Sequence, residues 1–299
     1  MTSRTRSNDQ STEPGPLHDP SGPTPFSGAA RLDHRADETQ DRVVPMIDPA
    51  LRFTNRVENY ARYRPGYPAG VVESMREKCG LTPASIVADI GSGTGILSEL
   101  FLLNGNTVHG VEPNSEMRLA GERLLHCRAG FRSVAGRAEA TTLAAGSVDF
   151  IVAGQAFHWF DQDRARAEFL RILRPSGWVM LVWNERDTRR TPFLMDYERV
   201  LRRHAVDYEQ VGRRRVQARR LDGFYGESGF WTREFHHRQT LDHDGLVGRV
   251  LSASYAPEPG HPAYLPMLAE LERLFQNHQV DGAVAFDYTT TMYCGRLDS

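Results

Sequence analysis

The segment VADIGSGTGILSEL (Val87 to Leu100) sets Asp89 just ahead of Gly91, Gly93 and Gly95. Three glycines in five residues weaken any strand or helix they enter, so the spacing has to serve a tight turn or a close approach to another molecule. The apolar run before them reads as a buried strand and the run after them as a helix. A strand-to-helix turn of small residues presents free N–H groups at the helix N-terminus, which suits an anion or a nucleotide. Two acids narrow the choice. Asp89, at the strand end, would repel a pyrophosphate but hold a cationic amino group. Glu112 ends the next strand, placed to accept hydrogen bonds from two ribose hydroxyls. The implied ligand has a ribose and a cationic amino-acid part. An NAD(P)-dependent oxidoreductase is the weaker alternative, because the spacing is GxGxG and not GxGxxG.

For these groups to converge, strands must lie side by side with helices between them, and the hydrophobic pattern provides that. YARYRPGYP (Tyr60 to Pro68) reads as a loop with two X-Pro steps, followed by a helix over about 69–79. SIVADI is a strand and GILSELFLLNG a helix. NTVHGVE is a strand and NSEMRLAGERLL a helix with Asn114 as its N-cap. FRSVAG and SVDFIVAG are strands, DQDRARAEFLRILRPSG an amphipathic helix, and WVMLVWN a strand. Two helices follow, over about 192–204 and 208–219, then a strand (232–240), helices over 243–251 and 263–278, and the strand GAVAFDYTTTMYCG. The alternation predicts an α/β fold, a mostly parallel sheet with helices on both faces, closed by a reversed final hairpin into seven strands.

Composition excludes several classes. A net charge of −2 argues against a general polyanion binder. Lys78 is the only lysine, and the arginines from Arg199 to Arg220 (Arg199, Arg202, Arg203, Arg213, Arg214, Arg215, Arg219, Arg220) read as a solvated helical face and not a nucleic-acid surface, since no aromatic or glycine pattern interleaves with them. Cys79, Cys127 and Cys294 lack CxxC spacing, which argues against a disulfide framework or zinc site and for a reduced, cytoplasmic protein. No apolar run reaches 18 residues, and the N-terminus lacks the apolar core of a signal peptide. Residues 1–45 read as a disordered tail, rich in small, polar and charged residues without hydrophobic period. Residues 46–299 read as one domain, with a cap or insertion over about 186–258. His236 and His237 adjoin on a strand, so they face opposite sides and cannot readily share a metal. Nothing in the sequence bears on oligomeric state.

YARYRPGYP, DIGSGTG, GVEPNSEMR, AEA and QAFHWFD occur in that order. Together they resemble the class I S-adenosylmethionine-dependent methyltransferases, more narrowly their bacterial and fungal small-molecule branch of the type 11 kind, over about Phe53 to Arg296. S-adenosylmethionine has both the ribose and the cationic amino-acid part. The resemblance implies a Rossmann-like seven-stranded sheet in the order 3-2-1-4-5-7-6, with a small cap. It matches Asp89, Gly91 and Gly93 to the cofactor loop, with Ser92 where Ala or Cys is commoner. Glu112 matches the ribose acid, Pro113 the residue flanking the adenine, and Ala138 and Glu139 the segment near the adenine amino group. Gln155 falls beside the reactive methyl, and Phe157, His158 and Trp159 point toward the substrate pocket.

Other residues have two readings each. His158 is either a general base or part of the pocket wall, and the wall is favoured because displacement on a sulfonium needs little beyond in-line approach. Tyr60, Tyr63 and Arg64 are placed for a lid over the cofactor. Arg64 suits the methionine carboxylate or a surface ion pair equally well. The sequence lacks the Asn/Asp-Pro-Pro-aromatic motif of base-amino methyltransferases, the Pro-Cys pair of cytosine-C5 enzymes and an acidic cluster for magnesium. These readings together predict a metal-independent methyltransferase acting on a small organic molecule, without a nucleic-acid or membrane partner. A protein of this fold that binds the cofactor but methylates nothing is the alternative from another class.

Overall fold

The structure is a computed structural model that describes residues 56–218 and 221–298. The expected tail, the expected start near Phe53, and Arg219 and Arg220 lie outside the described residues, as do the side chains of Arg214 and Arg215.

Seven strands form one sheet in the order β3-β2-β1-β4-β5-β7-β6. They are β1 (Ile86–Ile90), β2 (Thr107–Val111), β3 (Phe131–Val134), β4 (Val148–Gly154), β5 (Leu173–Arg186), β6 (Phe230–Leu241) and β7 (Val284–Gly295). The first five pair in parallel, and β7 runs antiparallel between β5 and β6. Side chains alternate between two buried faces, as a sheet covered on both sides requires. Val87, Phe150, Val152, Met180 and Val182 pack on one face with α2 (Gly70–Cys79) and α3 (Ile96–Leu103). Ala88, Ile151, Ala153, Val179, Leu181 and Trp183 pack on the other with α5 (Gln162–Ile172) and the short α8 (Asp222–Tyr225).

A second apolar cluster stands at the carboxyl end of the parallel strands. It joins α6 (Pro192–His204), α9 (His243–Leu251) and α10 (Tyr264–His278), with Val211 of α7 (Tyr208–Ala218), to Phe286 and Tyr288 at the start of β7. Because β7 is antiparallel, its first residues reach this end, where Tyr288 pairs with Arg186 of β5. The stretch expected as a cap thus supplies α6, α7 and α9, while β6 within it is an edge strand of the main sheet and α10 beyond it completes the cluster.

Two local expectations differ from what forms. Tyr60 to Tyr63 are not loop but the end of a helix, α1 (Val57–Tyr63); only from Arg64 (ψ 140°) is the chain extended, as a residue before proline prefers. The helix expected to stop at Pro175 and Gly177 ends at Ile172, and β5 begins at once, because Pro175 denies Arg174 a helical conformation. Asn114 caps α4 (Ser115–Leu125) as read from sequence, its side chain accepting from Met117 N–H.

Candidate functional site

The glycine turn joins β1 to α3 with Gly91, Gly93 and Gly95 all in the left-handed region (φ 70°, 56° and 87°). Only glycine takes such angles without strain. At Gly91 space is limiting too: a Cβ there would meet the Cβ of Ala156 at 2.6 Å. The N–H groups of Gly91 and Ser92 both donate to Val111 O, locking the turn against β2 (2.8 and 3.2 Å).

Two cavities open at the carboxyl ends of β1, β4 and β5 and share Tyr60, Gly91, Gly154 and Gln155. The smaller, about 120 Å³, is lined by Gly93, Glu112, Pro113, Ala138, Glu139 and Trp159. The larger, about 270 Å³, runs from Arg64, Asp89 and Ser92 past Trp183 and Asn184 to Arg186, Arg249, Tyr208, Tyr255 and Tyr288.

The two acids differ in how they are held. Glu112, 8% exposed, accepts from Gly93 N–H at 2.9 Å and from Asn114 N–H at 2.8 Å, one bond per oxygen. Each oxygen keeps a lone pair for a further donor. Burial raises its pKa, and the two backbone donors pull it back. Asp89 is 1% exposed; Oδ2 accepts from Ser98 Oγ at 2.6 Å, and Oδ1 is buried with no hydrogen-bond partner among the described residues. Burial pushes this carboxyl up to about 7, the Ser98 hydrogen bond opposes the shift, and the Glu112 charge adds to it. A cationic donor against Oδ1 would reverse the shift.

Gln155, at the junction of the cavities, has φ 59°, an unusual angle for a residue with a side chain. Its Nε2 donates to Asn184 O at 2.8 Å, and its buried Oε1 lacks a partner among the described residues. Such strain, about 1–3 kcal/mol, gathers at functional sites. Arg64 donates to Ser252 O at 3.0 Å and lies over the Tyr60 ring (4.9 Å). Arg56 donates to Leu251 O and Ala256 O (3.1 and 2.7 Å), so two arginines tie α1 to the C-terminal end of α9.

The fold therefore brings Asp89, Gly91, Ser92, Glu112, Gly93, Pro113, Ala138, Glu139, Gln155 and Arg64 to the two cavities. It does not bring all of QAFHWFD there. The segment forms a 3-10 turn, Phe157–Trp159. Phe157 points inward, fully buried against Phe224 and Trp183 (centroids 4.7 and 6.3 Å). Trp159 lines the smaller cavity, not the larger. His158 lines neither; its ring packs on Trp159 at 4.7 Å. Tyr63 also lines neither, because its ring fills the space over Gly248, where a Cβ would meet it at 2.1 Å. Sequence reasoning passed over Tyr67, Arg186 and Arg249. Tyr67 stood inside YRPGYP, and its hydroxyl abuts Gly154, where a Cβ would lie 2.5 Å away. Arg249 left a signal as well, a cation on the apolar stripe formed by Leu246, Val250 and Ala253.

Residues 88–181 match the family model described as a methyltransferase domain. An uncharacterized methyltransferase of Mycobacterium tuberculosis is 38% identical over 144 residues, 48% of this chain and 56% of that one. An uncharacterized methyltransferase-like protein of Schizosaccharomyces pombe is 31% identical over 159 residues, 52% of this chain and 59% of that one. The chain thus spans less than two thirds of the length of these relatives. A solved structure from Anaeromyxobacter dehalogenans, named as a candidate type II methyltransferase, superposes with a TM-score of 0.56 at 22% identity, over 79% of this chain and all of that one, a likeness of fold.

Proposed function

We propose that the chain, whose residues 88–181 match the family described as a methyltransferase domain, is a class I S-adenosylmethionine-dependent methyltransferase that moves the methyl group of S-adenosylmethionine onto a small organic molecule, in the cytoplasm and without a metal. The observation that carries this reading is Asp89 Oδ1, a buried carboxylate oxygen on the wall of the larger cavity that has no donor among the described residues. An ammonium supplies that donor, and a phosphate does not.

The lining residues fit the rest of the cofactor. Glu112, held by two backbone donors, would take the ribose hydroxyls, and Pro113, Ala138 and Glu139 the adenine side. Arg64 would take the methionine carboxylate, and Gln155 would stand nearest the methyl. When bound, the cofactor supplies a methyl group on a sulfonium with a neutral thioether as leaving group. What remains for the chain is to orient the acceptor and exclude water. Trp183, Tyr208, Tyr255 and Tyr288 line the larger cavity with aromatic rings suited to a small acceptor with an apolar body.

Calorimetry tests this reading. S-adenosylhomocysteine should bind and NAD should not, and turnover should be unaffected by EDTA. Binding of NAD alone would overturn it, and loss of turnover in EDTA would remove the metal-independent part.

A further inference from the structure

The end of the larger cavity away from the glycine turn holds two buried arginines, and they are not equivalent. A guanidinium taken out of water needs a counter-charge or a full set of acceptors. Arg186 has the counter-charge: its Nη2 donates to Glu198 Oε2 at 2.7 Å and to Tyr208 Oη at 3.1 Å, while its Nε is buried with no hydrogen-bond partner among the described residues. Tyr208 donates to the same carboxylate at 2.7 Å. Arg249, 5% exposed, does not. Its Nε donates to Tyr288 Oη at 3.1 Å, its Nη1 is buried with no hydrogen-bond partner among the described residues, and no ion pair to it is found among them. The groups that bear on its charge are the phenols of Tyr288, Tyr197 and Tyr255. Burial pushes Tyr197 toward the neutral form.

We propose that the acceptor molecule carries a carboxylate and that Arg249 pairs with it beside Tyr288. This rests on reading the cavity as the acceptor site of a methyltransferase. A planar guanidinium with a spare donor is matched by a planar oxyanion. A carboxylate is paired with Arg186 and none with Arg249 among the described residues, so a monoanion suits the Arg249 side of the cavity. Arg64, stacked on Tyr60 and donating to Ser252 O, would meet the carboxylate of the cofactor. The acceptor is then a small carboxylic acid whose apolar body lies among Trp183, Tyr208 and Tyr255.

The test uses the full chain loaded with S-adenosylhomocysteine and three probes, benzoate, trans-cinnamate and hexanoate, each paired with its neutral amide. At least one carboxylate should raise the melting temperature by about 2–5 °C near tenfold over its Kd while its amide does not. Arg249→Met should lose this preference, keep S-adenosylhomocysteine affinity within about twofold, and melt no lower than the parent, since it removes an uncompensated buried cation. Arg249→Lys, which keeps the charge and drops the planar fork, should show a reduced preference. The proposal is overturned if no carboxylate outperforms its amide, if either variant keeps the full preference, or if Arg249→Met fails to fold. It is also overturned if that variant binds S-adenosylhomocysteine tenfold or more weakly while 5′-methylthioadenosine binds as before, which would put the cofactor's own carboxylate on Arg249. Failure of the parent chain to bind S-adenosylhomocysteine, with a carboxylate response still lost in Arg249→Met, would instead sink the methyltransferase reading and leave the carboxylate site standing.

Discussion

Asp89 is the residue on which pH should act. In the free protein its carboxyl sits at about 7, above the ordinary aspartate range, because it is buried. A carboxyl raised in the folded state contributes nothing adverse below its unfolded pKa. It then costs stability as pH rises from there to about 7 and adds no further cost above. Cofactor binding has the opposite sense, because a cationic amino group needs the carboxylate. Affinity for S-adenosylhomocysteine should rise by up to about tenfold per pH unit below 7 and level off above it. Titrations from pH 5.5 to 8.5 read this directly, and Asp89→Asn should flatten the curve and weaken binding. A flat curve in the parent chain would show that Asp89 does not meet the amino group. His158 carries the contrasting expectation. It lines neither cavity, so His158→Gln should leave the form of the pH–rate profile intact. Loss of one limb near pH ~6.5 would restore the general-base role.

At the scale of elements, the placement of Tyr60 and Arg64 is governed by the packing of α1 on α9. Tyr63 lies over Gly248, and the arginines at either end of α1 donate to carbonyls that α9 leaves free at its C-terminus. Gly248→Ala places a Cβ inside the Tyr63 ring and should displace α1, at a cost of about 1–3 kcal/mol by denaturant unfolding. Affinity for S-adenosylhomocysteine should fall as well, because Tyr60 and Arg64 move with the helix. Unchanged stability and affinity would mean that α1 is not held there. None of this packing was legible in the sequence, since Tyr63 and Gly248 are separated by most of the chain. The two X-Pro steps drew attention to a loop when the helix ends just before the first of them. By contrast, the Asn114 cap was legible because it rests on neighbours within a few residues, and the glycine turn and Glu112 because each directly follows the apolar run of its strand. Phe157 was misplaced for a related reason: an aromatic at a strand end reads alike whether it faces a ligand or the core, and only Phe224, far along the chain, decides it.

Over the whole molecule, period-two alternation along β1, β4 and β5 feeds the two layers of helix, while the order of the strands was implied by the family resemblance. The helices beyond the sheet are a separate matter. They set Arg249 and Tyr255, from α9 and the turn after it, beside Tyr288 of β7 and Arg186 of β5, over the cleft that the glycine turn begins, so the acceptor end is tertiary in origin. A methyltransferase reading requires the cofactor to lie across the junction of the two cavities, adenosine in the smaller and methionine in the larger. A crystal structure of the chain with S-adenosylhomocysteine settles this. The amino nitrogen should lie within hydrogen-bond distance of Asp89 Oδ1 and the ribose hydroxyls on Glu112, with the sulfur beside Gln155. A nucleoside found elsewhere, or a ribose that leaves Glu112 untouched, would contradict it.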